Sequence, residues 1–179
     1  MNRGTKVSPF HGGFARPLGE ARSSRARRHE TGSLFPRTDS GIHVVMHTRT
    51  LEVRTHSRDE MIDITDLLQR EIAESGVADG VVAVYAPHTT AGVTINENAD
   101  PDVVHDVLAA LDAAVPWRQG FYQHGEGNSA AHAKSSMVGC STCIPVSGGR
   151  MMLGTWQAVY FCEFDGPRTR RVIVTVMGG

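Results

Sequence analysis

Three histidines stand where this chain can do chemistry: His88 at the foot of an apolar run, and His124 and His132 on either side of a small-residue stretch. His88-Thr89-Thr90-Ala91-Gly92 follows a Val-rich segment and Pro87, a strand-end position from which loops present binding residues. Asn96-Glu97-Asn98-Ala99-Asp100 comes next and brings two carboxylates, although Asn98 and Asp100 also suit the plainer task of capping a helix. In His124-Gly125-Glu126-Gly127-Asn128 the glycines let backbone approach a ligand closely. If Asn128 caps a helix, it lies on one face with His132, four residues on, and the free N–H groups there favour an anion such as phosphate. Lys134 closes this cluster and is one of two lysines, with Lys6, against sixteen arginines.

Taken singly, each histidine has an ordinary hydrogen-bonding role. Together, His88, His124 and His132 make a three-imidazole set for a divalent metal, Zn²⁺ or Mg²⁺, with a further position open to water. The expected chemistry is work on a phosphorylated small molecule. His88, His124 and His132 hold the metal or a diphosphate, Glu97 or Glu126 ligates the metal or acts as base, and Lys134 neutralises the leaving group. Thr89, Thr90, Asn96, Asn98, Gly127 and Asn128 are the candidate ligand-binding residues of these loops. Two more come from further along. Trp156, in Gly154-Thr155-Trp156-Gln157, reads as an aromatic in a strand, and Arg168, in the turn Asp165-Gly166-Pro167-Arg168, as a phosphate or carboxylate clamp. Cys140-Ser141-Thr142-Cys143 leads into a strand and lacks the helix start that activates a redox thiol, so both cysteines read as structural. No Walker A loop, G-x-G-x-x-G or G-x-S-x-G is present.

The elements that must position these residues show in the hydrophobic pattern. Residues 44–54 alternate as a strand, and Ile64, Leu67, Leu68 and Ile72 fall at helical spacing, with Asp63 or Thr65 as cap and Gly76 as stop. Gly80 to Tyr85 and Val93 to Asn96 are short strands. Asp100-Pro101 opens a helix whose stripe is Val103, Val104, Val107, Leu108 and Leu111. Asn128 to Met137 suits a short helix. Cys140–Val146, Met151–Phe164 and Thr169–Met177 are strand-like and separated by turns. Helices between early strands and neighbouring antiparallel strands at the end indicate an α+β domain over residues 44–179.

The chain has 179 residues and a mass of 19.4 kDa, enough for one core. Its net charge of −1 averages two unlike parts. Residues 1–41 hold eight Lys/Arg against three Asp/Glu, and the remainder holds ten against sixteen. Residues 1–43, rich in Gly, Ser, Arg and Pro without apolar periodicity, read as a disordered basic extension. An acidic body without a basic, aromatic-lined stripe argues against nucleic acid. There is no 18-residue apolar run for a membrane helix and no apolar stretch of the kind a secretory signal carries. Three cysteines suit a reducing cytoplasm, the expected location.

The motifs from His88 to Pro101, from His124 to Lys134, and from Gly154 through Arg168 occur together and in order, and over about residues 46–178 the chain resembles the YjbQ-like family. Cys140 and Cys143 fall outside that pattern. The resemblance implies a mixed, mostly antiparallel barrel-like sheet with two to three helices, assembled as a homotrimer with sites at subunit edges. It also implies secondary thiamine-phosphate synthase activity, the coupling of hydroxymethylpyrimidine diphosphate to thiazole phosphate with release of pyrophosphate. Two other readings remain open on the same residues: a metal-dependent hydrolase on the three histidines, and a non-catalytic trimer that binds a phosphometabolite.

Overall fold

The computed structural model describes residues 44–179, so the expectation for the 1–43 extension lies outside the described residues. The alternating stretch forms β1 (Val45–Arg54). Then follow β2 (Glu60–Asp63), α1 (Thr65–Ser75), β3 (Gly80–Tyr85), β4 (Ala91–Glu97), α2 (Pro101–Ala114) and α3 (Ser129–Val138). β5 (Ser141–Ser147), β6 (Arg150–Met151), β7 (Gln157–Glu163) and β8 (Thr169–Gly178) complete the chain. At the start of α1 the Asp63 carboxylate accepts the Thr65 N–H at 2.8 Å, and the helix stops at Gly76. At the start of α2 the Asp100 side chain accepts the Asp102 N–H at 2.9 Å, with Pro101 in the first turn.

Two elements differ from expectation. β2 is four residues long, too short to show a period, and exists through its antiparallel pairing with β7, Glu60 opposite Glu163 and Asp63 opposite Tyr160. The long strand expected from Met151 to Phe164 is broken instead. β6 ends at Met151, and the chain turns before β7 because the Gly154 N–H donates to Gln157 Oε1 at 2.8 Å and the Gln157 N–H to the Gly154 carbonyl at 2.9 Å. Trp156 therefore sits in a turn and is 64% exposed, not in a strand.

The strands form a five-stranded sheet in the order β1-β8-β3-β5-β6 and a three-stranded sheet in the order β2-β7-β4. Every ladder is antiparallel, so the expected mixed character is absent among the described residues. The result is an α+β architecture with three helices and a curled, half-barrel sheet. One core fills the curl: Val82 and Val84 of β3, Val172, Val174 and Val176 of β8, Val159 and Phe161 of β7, and Leu68 and Ile72 of α1. β7 is buried on both faces. Its other side (Ala158, Tyr160, Cys162) packs with Ala131 of α3 and with Val104, Leu108 and Leu111 of α2. Cys162 is buried there, and burial pushes its thiol up to about 12.

The small residues of α3 serve a close approach. Ser135 Oγ donates to the Ala91 carbonyl at 3.0 Å, and the Val93 N–H reaches the Gly139 carbonyl at 3.0 Å. A Cβ on Gly92 would lie 2.5 Å from that Gly139 oxygen, so position 92 admits only glycine without a backbone shift. This contact sets the helix carrying His132 against the strand that follows His88.

Candidate functional site

Four chain segments converge on one cleft: the loop between β3 and β4, the loop into α3 with the first turn of that helix, the β7–β8 turn, and the start of β8. They line a cleft of about 410 Å³ with His88, Thr89 and Thr90, with His124, Glu126, Asn128 and His132, and with Asp165, Arg168 and Arg170. Pro87 completes the wall. The three histidines singled out in the sequence thus share one cleft, as do Glu126, Thr89, Thr90, Asn128 and Arg168.

The floor is a buried ion pair. Glu163, with no exposed surface, takes Arg170 Nε on one carboxylate oxygen at 2.6 Å and Arg170 Nη2 on the other at 2.5 Å. The same Nη2 donates to Thr90 Oγ1 at 2.8 Å, tying the pair to the loop after His88. Glu163 Oε1 also accepts the N–H groups of Phe164 and Asp165, at 3.0 and 2.9 Å. These bonds fix the turn that carries Asp165 and Arg168, where Arg168 Nη2 donates to Asp165 Oδ2 at 2.9 Å. Neither Glu163 nor Arg170 was named as a site residue from the sequence, where Glu163 entered only as part of the motif that runs to Arg168. The signal was their parity: Val159 and Phe161 set the inward face of β7, and Val172, Val174 and Val176 that of β8, so 163 and 170 are inward positions occupied by charges.

His88 lies edge-on to Phe161, and its Nε2 sits 2.9 Å from the Arg171 N–H and 3.1 Å from the Arg171 carbonyl. Burial, and then the positive charge of Arg170, hold its pKa below the usual histidine value. The imidazole is therefore neutral at neutral pH, the form that ligates a metal or accepts a proton. When Nε2–H donates to the Arg171 carbonyl, Nδ1 keeps the free lone pair. His124 and His132 stand edge to face with centroids 5.1 Å apart, and His124 Nε2 is 3.9 Å from Glu126 Oε2.

Asn128 occupies the position before α3, but its side chain does not cap the helix. Nδ2 donates instead to Asp165 Oδ2 at 3.1 Å and to Glu126 Oε2 at 3.4 Å. Gly127, with a φ of 74° that favours glycine, shares an adjoining hollow of about 320 Å³ with His124, Trp117 and Tyr122.

Other candidates lie elsewhere. Lys134 is 1% exposed and does not line the cleft; its Nζ donates to Asp112 Oδ1 at 2.8 Å and to Asp59 Oδ1 at 3.3 Å. Its helix position turns it toward the loop before β2 and toward α2, so it cannot meet a leaving group in the cleft. Asn96, Glu97, Asn98 and Trp156 gather at the far end of β4. There Glu97 pairs across to Gln157, the Asn98 N–H donates to the Trp156 carbonyl, and Asn98 Nδ2 binds Asp63 Oδ2 at 2.8 Å. β4 runs away from the cleft after Ala91, which separates these four residues from His88 although they are near it in sequence. Cys140 and Cys143 are free and exposed.

Among the described residues, the trio whose possible metal-ligand atoms all lie within 4.8 Å of one another is His47, Glu71 and Glu74 on β1 and α1. The three cleft imidazoles do not meet that spacing, so their side chains must turn inward to share an ion.

The family model described as UPF0047 protein YjbQ-like matches residues 49–179, and the chain belongs to this family. It is 54% identical over 130 residues to the UPF0047 protein YugU of Bacillus subtilis, covering 73% of this chain and 98% of that protein. Against the UPF0047 protein MJ1081 of Methanocaldococcus jannaschii the identity is 50% over 127 residues, 71% of this chain and 91% of the relative. Among solved structures, a yjbq/upf0047 family protein of Clostridium acetobutylicum superposes with a TM-score of 0.70 at 52% identity, covering 72% of this chain and 98% of that one. A YbjQ-like protein of unknown function from Sulfolobus solfataricus gives a TM-score of 0.73 at 27% identity, covering 76% and 100%.

Proposed function

We propose that the cleft binds a phosphorylated small molecule and that the chain is an enzyme acting on it, with a divalent metal held by His88, His124 and His132. The observation that carries this reading is the convergence of three imidazoles and two guanidinium groups on one cleft of about 410 Å³. The donor set fits a borderline ion such as Zn²⁺ better than Mg²⁺, which prefers oxygen ligands. A bound ion of this kind would polarise a phosphoryl oxygen or activate water. Arg168, held by one carboxylate and half exposed, takes the leaving-group role that the sequence suggested for Lys134. Glu126, exposed beside His124, is the candidate base.

Within this class the reaction to test first is the thiamine-phosphate coupling that the family resemblance implies, with release of pyrophosphate. The imidazole-only donor set favours one alternative, metal-dependent hydrolysis of a phosphate ester. Assembly as a homotrimer belongs to the same reading. Its support is the set of large apolar side chains left exposed, among them Met46, Tyr85, Phe121 and Met137, and light scattering measures it.

The experiment compares wild type with His132→Ala on the two thiamine precursors and on a panel of phosphate esters. Turnover of about 1 per second or faster, abolished by the substitution, supports the reading and identifies which reaction it is. Equal trace rates in both proteins on every substrate would refute it.

A further inference from the structure

Resting on the reading that the cleft takes a phosphoryl group, we infer that Asn128 Oδ1 accepts a hydrogen bond from a ligand O–H, so that the cleft selects a protonated phosphoryl oxyanion over one that carries no proton. Asn128 is 7% exposed and lines the cleft, and its Oδ1 is the one buried side-chain polar atom without a partner among the described residues. Such an orphan acceptor is costly to bury and calls for a donor.

The orientation of the amide follows from its neighbours. Nδ2 has two hydrogens, and two carboxylates receive them, Asp165 at 3.1 Å and Glu126 at 3.4 Å. Turning the amide over would set its carbonyl oxygen against both carboxylates, so the oxygen is the end left free. The guanidinium atoms nearest the turn are held elsewhere, Arg170 by Glu163 and Thr90 and Arg168 Nη2 by Asp165, and no donor of the described residues reaches Oδ1. That leaves Oδ1 open to a donor carried by the ligand. Glu126 exposes most of its side chain and is the neighbour that can turn aside to admit it.

A neutral carbonyl lone pair attracts a P–OH and repels a bare oxyanion. Inorganic phosphate keeps an O–H as monoanion and as dianion near neutral pH, whereas sulfate has none. The two ions are otherwise alike in size and shape, and because the Glu126 and Asp165 carboxylates of the cleft also accept a P–OH, it is the change in preference on Asn128→Ala that isolates the Oδ1 contact. The ligand class is a phosphoryl group bearing a proton: inorganic phosphate as product, or a phosphomonoester as its monoanion.

Calorimetric titration of the full chain with inorganic phosphate and, separately, with sulfate at one pH tests this, in wild type and in Asn128→Ala, with thermal melting to verify that the variant is folded. We expect wild type to prefer phosphate about tenfold, and Asn128→Ala to lose the preference by weakening phosphate while leaving sulfate within twofold. Wild-type parity between the ions overturns the inference without any variant and leaves the anion cleft standing. Equal weakening of both ions in Asn128→Ala also overturns it, because the amide then serves only to hold Asp165 and Glu126. Binding of neither ion by wild type overturns the inference and the anion reading together.

Discussion

Glu163→Gln is the sharpest perturbation of the cleft, because it keeps the shape of a fully buried side chain and removes only its charge. In the native protein that charge faces an Arg170 whose side chain is 7% exposed, through bonds of 2.6 and 2.5 Å. After the change the guanidinium keeps Thr90 and one amide oxygen but is buried without a counter-charge. Breaking a buried pair in this way costs roughly 3–5 kcal/mol, a large share of the about 5–15 kcal/mol that typically stabilises a domain. Urea unfolding measures it as a lower midpoint at unchanged slope. A second substitution, Arg170→Met, made in the Glu163→Gln background, should restore part of the loss, because the stranded charge is then gone. A loss below about 1 kcal/mol in Glu163→Gln would mean that the carboxylate does not hold the floor of the cleft, and the argument for a rigid Asp165–Arg168 turn would fail with it.

Lys134→Ala should destabilise by about 3 kcal/mol through the loss of a buried ammonium shared by Asp112 and Asp59, yet leave phosphate binding per folded chain within twofold. The Lys134 hydrogen bond holds the Asp112 carboxyl below its ordinary value, so in Lys134→Met its pKa, read by NMR, should rise. Gly92→Ala forces a Cβ onto the Gly139 carbonyl and should cost about 1–3 kcal/mol in the same unfolding assay; a neutral effect would show that α3 is not pressed against β4 as described. His88 gives a pH signature with a fixed sign. Its native pKa lies below the ordinary 6.5, so the unfolded chain binds the proton first as pH falls. Stability from this residue is complete above that value and is lost as pH drops below it, and His88→Gln should flatten the slope in that range.

The cleft was legible in the sequence where chemistry and glycine coincide. His88, His124, His132 and Asn128 stood out by type and by position at element ends, and the folded chain brings them together. Lys134 and Glu97 were named on the same grounds and lie elsewhere, because adjacency in sequence does not carry direction. Glu97 sits at the far end of a seven-residue strand, and Lys134 points across α3 toward α2. Trp156 misled for a related reason: a run of apolar residues reads as a strand, while the bonds between Gly154 and Gln157 that turn the chain are visible only in three dimensions. Glu163 and Arg170 were readable from strand parity, since each continues an inward apolar series, but which buried charge meets which depends on the pairing of separate strands. The orphan oxygen of Asn128 has no sequence signature at all, because it depends on two carboxylates from different loops claiming the other end of the amide.

The most direct test of the cleft as a single site is a Zn²⁺ titration followed through the imidazole signals of the nine histidines by two-dimensional NMR. We expect His88, His124 and His132 to shift together and to saturate at one equivalent, with His47 unmoved until excess. Saturation of His47 first, alongside Glu71 and Glu74, with the three cleft histidines unmoved or titrating independently, would contradict a metal site in the cleft and move it to β1 and α1.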